Sequence, residues 1–348
     1  MGGDSENIQT LQKMGISVYR IPQLRKYISI KREVIVVFQL IKIISTIKPY
    51  VVHTHLAKAG VLGRFCSIVA NVPIIIHTVH GPSFPDSFGT IKRTIFKFIE
   101  YCVSKKTDKF VFVGKELADT YIREGVAVPS KAVVLKTGRP KNDFRFLEAF
   151  DAEKRNQIRA SICSNVNRFL MIYVGRIVPS KQQDHAILIL KRIIESGYEA
   201  ELIVVGEAFI KEEKSYELFL KNIVDEHDLG DYVHFLGYRD DALKLMAVAD
   251  AVILTSKYEG LPNVFVESLM LGTPFFSYAV SGLSEIMRYN EYGAIIPQNN
   301  INEFARRIML LINQNGQKKA SSRNSLKFSY FEEDMVLEKL KFYSNLLS

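Results

Sequence analysis

The feature that most constrains this chain is a repeated alternation. Short Val- and Ile-rich runs are separated by longer segments of helical periodicity, over most of its 348 residues. The runs read as strands: Val18–Ile21, Tyr50–His53, Ile74–Thr78, Lys109–Val113 and Ala132–Leu135, then Phe169–Val174, Ala200–Val205, Tyr232–Phe235, Ala251–Leu254 and Pro274–Ser277. Strand–helix–strand repetition specifies parallel sheets covered on both faces, joined by right-handed crossovers. The fold class is therefore α/β, with length enough for two domains.

The segment TGRPKND, residues 137–143, has Gly, Pro and charge without periodicity, and reads as the linker. It divides the chain into a first domain over 1–138 and a second over 139–325. A closing helix over 326–348 is expected to pack back toward the first domain. The helix Asp151–Ile162 opens the second domain. The first begins with a polar loop and a helix-like stretch, Glu6–Met14, rather than with the apolar strand and Gly-rich turn of a doubly wound domain. Its opening central strand is therefore expected to be missing.

An apolar fraction of 47% excludes a disordered chain. Cys66, Cys102 and Cys163 have no metal-like spacing and read as buried thiols in a reducing compartment. No secretory signal is visible, and Val34–Ile47, broken by Gln39 and Lys42, is shorter than the roughly 20 residues of a membrane span. Charge is uneven. Residues 1–137 hold 20 Lys/Arg against 9 Asp/Glu, while the remainder holds 26 against 28. A basic first half points to an anionic partner or to a generic solvated surface.

The most informative segment is SKYEGLPNVFVESLMLGTP, residues 256–274, directly after the strand Ala251–Leu254. Gly260 marks a turn, Pro262 suits a first helical position, Asn263 suits a cap, and Val264–Leu271 reads as a helix ended by Gly272. A helix N-terminus beyond a parallel strand offers free amides to a diphosphate. Glu259 precedes that helix. Glu267 lies inside it within an apolar run, where an unpartnered carboxylate would cost several kcal/mol, roughly. Its partner is a pair of ribose hydroxyls, a structural arginine, or solvent.

VGRIVPSKQQD, residues 174–184, ends a strand at Gly175 and places Arg176 and Lys181 in one strand-to-helix connection, where both can converge on a phosphate. Gly206 closes the strand before it, and Gly237-Tyr238-Arg239 follows another and can hold a base. Ser281-Gly282 marks a further loop or an ordinary turn. In the first half, His53, His55, His77 and His80 stand at two strand ends. Strand alternation puts them on different layers, which disfavours zinc. His80, beside Gly81, is a candidate substrate contact. No Asp-x-Asp, Walker or GxGxxG pattern occurs, and no nucleic-acid motif accompanies the basic aromatic stretch Lys92–Lys109.

These residues resemble the family 4 retaining glycosyltransferases of the GT-B fold, two Rossmann-like doubly wound parallel-sheet domains facing a cleft. The resemblance runs through HTHLAKAGVLGR (53–64), HTVHG (77–81), GR-x4-K (175–181), FLGYRDD (235–241), EGLPNVFVE (259–267) and VSGLSEI (280–286). It implies that Arg176 and Lys181 bind the donor diphosphate and that Glu267 holds the ribose. Glu259 and His80 would lie near the transferred sugar, and the amides around Gly260, Leu261, Pro262, Asn263 and Val264 would assist the phosphates. Gly175, Gly206, Tyr238 and Arg239 complete the implied donor site.

The implied reaction moves a sugar from a UDP- or GDP-linked donor to a glycan or lipid-linked acceptor. It retains anomeric configuration and uses no metal or resident cofactor. The setting is surface polysaccharide or glycolipid assembly, in the cytoplasm or on the inner membrane face. Ile91–Lys106 would be a cationic amphipathic helix against anionic lipid.

The departures are at the start, where about 50–60 residues of the family pattern are expected to be missing, and at Gly206-Glu207-Ala208 and Thr137-Gly138. A non-catalytic remnant that binds a nucleotide sugar or a partner enzyme, and an epimerase or phosphorylase-like enzyme of the same fold, are the alternatives.

Overall fold

The computed structural model describes residues 5–25, 29–85, 88–135, 138–280, 283, 293–315 and 332–347. The chain divides into two compact units, Met1–Val134 and Leu135–Ser348.

In the N-terminal unit, helices α1 (Ser5–Lys13) and α2 (Ile30–Ile47) precede three strand–helix repeats: β1 (Val51–His55), α3 (Ala57–Val69), β2 (Ile74–Val79), α4 (Thr90–Ser104), β3 (Lys109–Phe112), α5 (Lys115–Arg123) and β4 (Ala132–Val134). The sheet is parallel throughout, in the order β1-β2-β3-β4. An unreversed order with right-handed crossovers puts the connecting helices on one face. α3 packs on β1 and β2, with α2 and α4 against it. The expected strand Val18–Ile21 does not form. That segment is irregular, and Tyr19 is exposed, with only Ile21 buried. A strand needs a neighbour for its amides, and none of the described strands pairs with it.

In the C-terminal unit a 3-10 stretch (Lys141–Ala149) leads to α6 (Ala152–Ile162), capped by the Asp151 side chain accepting from the Lys154 amide at 2.9 Å. Then come β5 (Phe169–Val174), α7 (Gln183–Glu195), β6 (Ala200–Val205), α8 (Lys211–Glu226), β7 (Val233–Gly237), α9 (Ala242–Val248), β8 (Ala251–Leu254), α10 (Asn263–Leu271), β9 (Phe275–Tyr278), β10 (Gly293–Ile296), α11 (Ile301–Asn315) and α12 (Glu332–Leu347). The parallel sheet runs β10-β9-β8-β5-β6-β7. Chain order therefore reverses between β5 and β8, the crevice position of doubly wound sheets. Leu170–Tyr173 and Leu202–Val204 are fully buried, as central strands covered on both faces must be. β10 is the strand the pattern did not reveal. Its run of four residues, closed by Pro297, is too short to show a period.

Cys66 is buried, but Cys102 is exposed on α4 and Cys163 is half-buried, so the expectation of three buried thiols is corrected. The expected loop Ser281-Gly282 and the linker residue Thr137 lie outside the described residues. Among the described residues, no helix is long and apolar enough to cross a membrane.

Candidate functional site

The loops that leave β5, β6, β7 and β8 at their carboxyl ends build one region of the C-terminal unit. Sequence sets their close approach. Gly206 has φ +135°, and a Cβ there would stand 2.1 Å from the Gly175 carbonyl oxygen, so only glycine lets the ends of β5 and β6 meet. The Gly206 amide donates to the Gly237 carbonyl at 2.8 Å, which brings in the end of β7.

The loop after β5 is pinned from below. The buried Tyr173 hydroxyl donates to the Lys181 carbonyl at 2.7 Å, and Thr255 after β8 donates to the Gln182 carbonyl at 2.6 Å. The Lys257 amide donates to the Ser180 carbonyl at 2.9 Å, joining the loops of β5 and β8. This junction sits at the chain-order reversal and holds Lys181 in an ion pair with Glu259.

Arg176 is held differently. Its Nε donates to Glu213 Oε2 at 3.0 Å, its NH2 pairs with the other oxygen, and the guanidinium lies 5.5 Å from the Phe209 ring centre. Glu213, on α8, is 2% exposed and also accepts from the Phe209 amide. Arg176 and Lys181, expected to converge, are each anchored by a separate carboxylate.

α10 is buried from Val264 to Leu271. Pro262 is its N-cap and Asn263 its first residue, the reverse of the expected assignment. The Pro262 ring fixes φ near the −66° observed, and the first amides of the helix, at Asn263 and Val264, have no intrahelical acceptor. Gly272 ends the helix in the left-handed region at φ 67°.

Glu267 is 8% exposed, and its Oε1 lies 2.8 Å from the Arg139 guanidinium. Burial raises the Glu267 carboxyl above its ordinary range. Arg139 opposes that rise and nearby Asp143 adds to it. Of the three expected partners the structure shows the arginine, supplied by the linker.

A cleft of 580 Å³ within the C-terminal unit brings together Arg176, the Gly206 approach and Glu267. Gly175, Arg176, Gly206, Tyr238, Arg239 and Glu267 all line it, and its size lies in the range of small-molecule sites. Arg139, Asp143 and Phe209 line it as well, and sequence reasoning missed them. Arg139 was legible only as a charge between Gly138 and Pro140. Arg239 is in a fork with Asp241, both contacts 2.8 Å, which lowers the Asp241 carboxyl below its ordinary value. Tyr238 is exposed. Lys181, Glu259 and the turn from Gly260 to Val264 do not line the cleft.

The four histidines belong to the N-terminal unit. His77 is buried. Desolvation, with Arg64 nearby, pushes its imidazole down to about 2, so it is neutral, and its Nδ1 lies 2.9 Å from the Thr54 hydroxyl. His80 Nε2 lies 3.0 Å from His55 Nδ1, and His53 Nε2 lies 2.7 Å from the Thr78 hydroxyl. Among the described residues, no group of His, Cys, Asp or Glu is arranged to hold a metal.

The family model for glycosyl transferases group 1 matches residues 154–328, half of the chain, and that for glycosyl transferase 4-like proteins matches residues 3–113. The chain belongs to the group 1 glycosyl transferases.

This glycosyl transferase is 25% identical over 292 residues to an Escherichia coli UDP-Gal:alpha-D-GlcNAc-diphosphoundecaprenol alpha-1,3-galactosyltransferase, covering 83% of this chain and 73% of that protein. It is also 25% identical over 306 residues to the capsular polysaccharide biosynthesis glycosyltransferase CapM of Staphylococcus aureus, covering 84% and 76%. Among solved structures, HepE of Anabaena in complex with UDP-glucose is similar in fold, with a TM-score of 0.79 and 19% identity over 99% of this chain and 90% of that one. With two parallel-sheet units, the glycosyl transferase has the GT-B fold that the sequence resembles.

Proposed function

We propose that the protein transfers a sugar from a UDP- or GDP-linked donor, bound in the C-terminal unit, to a glycan or lipid-linked acceptor. It does so with retention of anomeric configuration and without a metal. The observation that carries this reading is the single cleft that gathers Arg176, Glu267 and the close glycine approach at Gly206 beyond the ends of parallel strands. The glycine contact lets backbone approach a diphosphate, and Arg176 supplies a planar fork for it. Glu267 accepts from the ribose hydroxyls once Arg139 shares or yields its oxygen.

Lys181, beside Glu259 at the reversal point, and the first amides of α10 neutralise the charge that develops on the leaving diphosphate, an electrostatic form of catalysis. The acceptor hydroxyl attacks from the side the nucleotide leaves, and a departing phosphate oxygen takes its proton. His80, directly after β2, contacts substrate.

The family and the names of its relatives favour surface polysaccharide or glycolipid assembly, on the cytoplasmic side. Peripheral contact with anionic lipid belongs to the same reading. α4 exposes Ile91, Ile95 and Phe98 and carries Lys92, Arg93 and Lys97. Arg93 and Lys97 both pair with Glu124, so part of that basic charge is internally offset.

Calorimetric titration with a panel of nucleotide sugars tests the donor site. Binding at millimolar or tighter affinity, lost in Glu267→Ala and in Arg176→Ala, is the expected result, and a folded protein that binds none refutes the reading. NMR of the product formed in excess chelator tests retention and metal independence together.

A further inference from the structure

We propose that Gln182 is a positioning residue: its side chain ties the Lys181 loop to β9 and to the segment after β10, and so holds the Lys181 ammonium in place for transfer. It rests on the reading of Lys181 as the group that offsets charge on the leaving diphosphate. A lysine head sits on a flexible four-carbon stem, so its position depends on a fixed backbone and on its ion pair with Glu259. The backbone here is fixed in an uncommon way. A 3-10 turn, Pro179–Lys181, ends at Gln182 with φ 48° and ψ 50°, and α7 begins at the next residue. Glycine enters that left-handed region freely, whereas a residue with a Cβ enters it at a cost.

What the Gln182 side chain does accounts for a glutamine at such a bend. It is 5% exposed, and both hydrogens of its amide nitrogen are used, one on Asn299 Oδ1 and one on His185 Nε2, each at 3.2 Å. An imidazole accepts at Nε2 only when it is neutral. Burial lowers the His185 imidazole below its ordinary value, Asp184 opposes that fall and Lys257 adds to it. The hydrogen that remains, on Nδ1, goes to the Tyr278 hydroxyl at 2.9 Å, at the fully buried end of β9.

Asn299, at φ 62°, follows β10. Its neighbour Gln298 donates to the Ala279 carbonyl at 2.8 Å and to the Ser256 carbonyl at 3.2 Å, so the same tail also grips the loop that leads to Glu259. Gln183, fully buried, reaches the other cation and donates to the Arg176 carbonyl at 2.9 Å. A glycine at position 182 would make the bend with less strain and leave Lys181 without its tether.

Two variants of the full chain test it, because glycine accepts a positive φ at either end of the tether. Gln182→Gly removes the amide, and Asn299→Gly removes one of its acceptors. The Lys181 amide donates to the Val178 carbonyl and the His185 amide to the Gln182 carbonyl, so hydrogen exchange at these two amides reports the bend. Both variants should speed that exchange about tenfold while the protein stays folded. Release of nucleoside diphosphate from UDP-glucose and from GDP-mannose reads catalysis. Both variants should lower kcat about tenfold with KM unchanged, the cost of a slightly misplaced group. In a Lys181→Met background neither should lower kcat further. Unchanged exchange, unchanged kcat, a loss confined to KM, or an equal loss of kcat with and without Lys181 overturns the proposal and leaves the transfer reading standing. A parent chain that hydrolyses neither donor, or a Lys181→Met variant with normal kcat, refutes the reading of Lys181 and the proposal with it.

Discussion

Replacing Arg139 by methionine keeps an unbranched stem and removes one charge, the one that offsets the buried Glu267 carboxylate. Glu267 is 8% exposed, so its charge gets little help from water. Charge-assisted hydrogen bonds contribute about 1.5–3 kcal/mol, and breaking a fully buried pair costs more, about 3–5 kcal/mol. Arg139 is 31% exposed, so the lower range applies, and the expected loss is about 2 kcal/mol at neutral pH. In a unit of this size that is a fall in Tm of roughly 4–8 °C.

The loss must depend on pH, with a definite sign. The Glu267 carboxyl is raised by folding, so the stability linked to its proton is present below its ordinary value of 4.5 and is lost as pH rises through the folded value. Without Arg139 the folded value rises further and the loss on ionisation is larger. The two proteins should therefore be nearly equally stable below 4.5 and diverge as pH rises. Thermal unfolding at neutral and acid pH, with a carboxyl-carbon NMR titration of Glu267, measures both. A destabilisation equal at both pH values would show that Arg139 acts by packing, and an unchanged Glu267 titration would refute the pairing itself.

Lys181→Met should lower transfer kcat by about 10²–10³, the usual cost of removing one donor aimed at developing charge, with little change in donor affinity. Steady-state kinetics decides it, and a pure KM effect would make Lys181 a ground-state contact. Gly206→Ala places a Cβ 2.1 Å from the Gly175 carbonyl at φ +135°, so it should lose both thermal stability and nucleotide binding. Unchanged calorimetry would show that the ends of β5 and β6 separate freely.

The C-terminal unit was the more legible. Three of its expected strands, those over 169–174, 200–205 and 251–254, match observed strands end to end, because buried parallel strands write unbroken Val/Ile runs. The N-terminal start was less so. The run at Val18–Ile21 carries strand-forming residues, but pairing is a property of neighbours that local pattern does not contain. The cleft followed the same division. Arg176, Gly206 and Glu267 were readable from their places at strand ends and in a helix. Arg139 and Glu213 were not, since each is drawn in by a charge far away in sequence: Glu267 for the first and Arg176 for the second. Periodicity reports which face a residue occupies and says nothing of which opposite charge will meet it there.

The burial of α10 from Val264 to Leu271 bears on how the proposed donor site can be altered. A helix buried along eight consecutive residues tolerates few substitutions there, because each alters core volume. Glu267 is thus inherited with the framework and is a poor place to retune specificity. Tyr238 and Arg239 occupy an exposed turn of the same cleft, where side chains can be exchanged at little structural cost. If the cleft binds the donor as proposed, libraries aimed at a new nucleobase should randomise that rim and leave the helix alone.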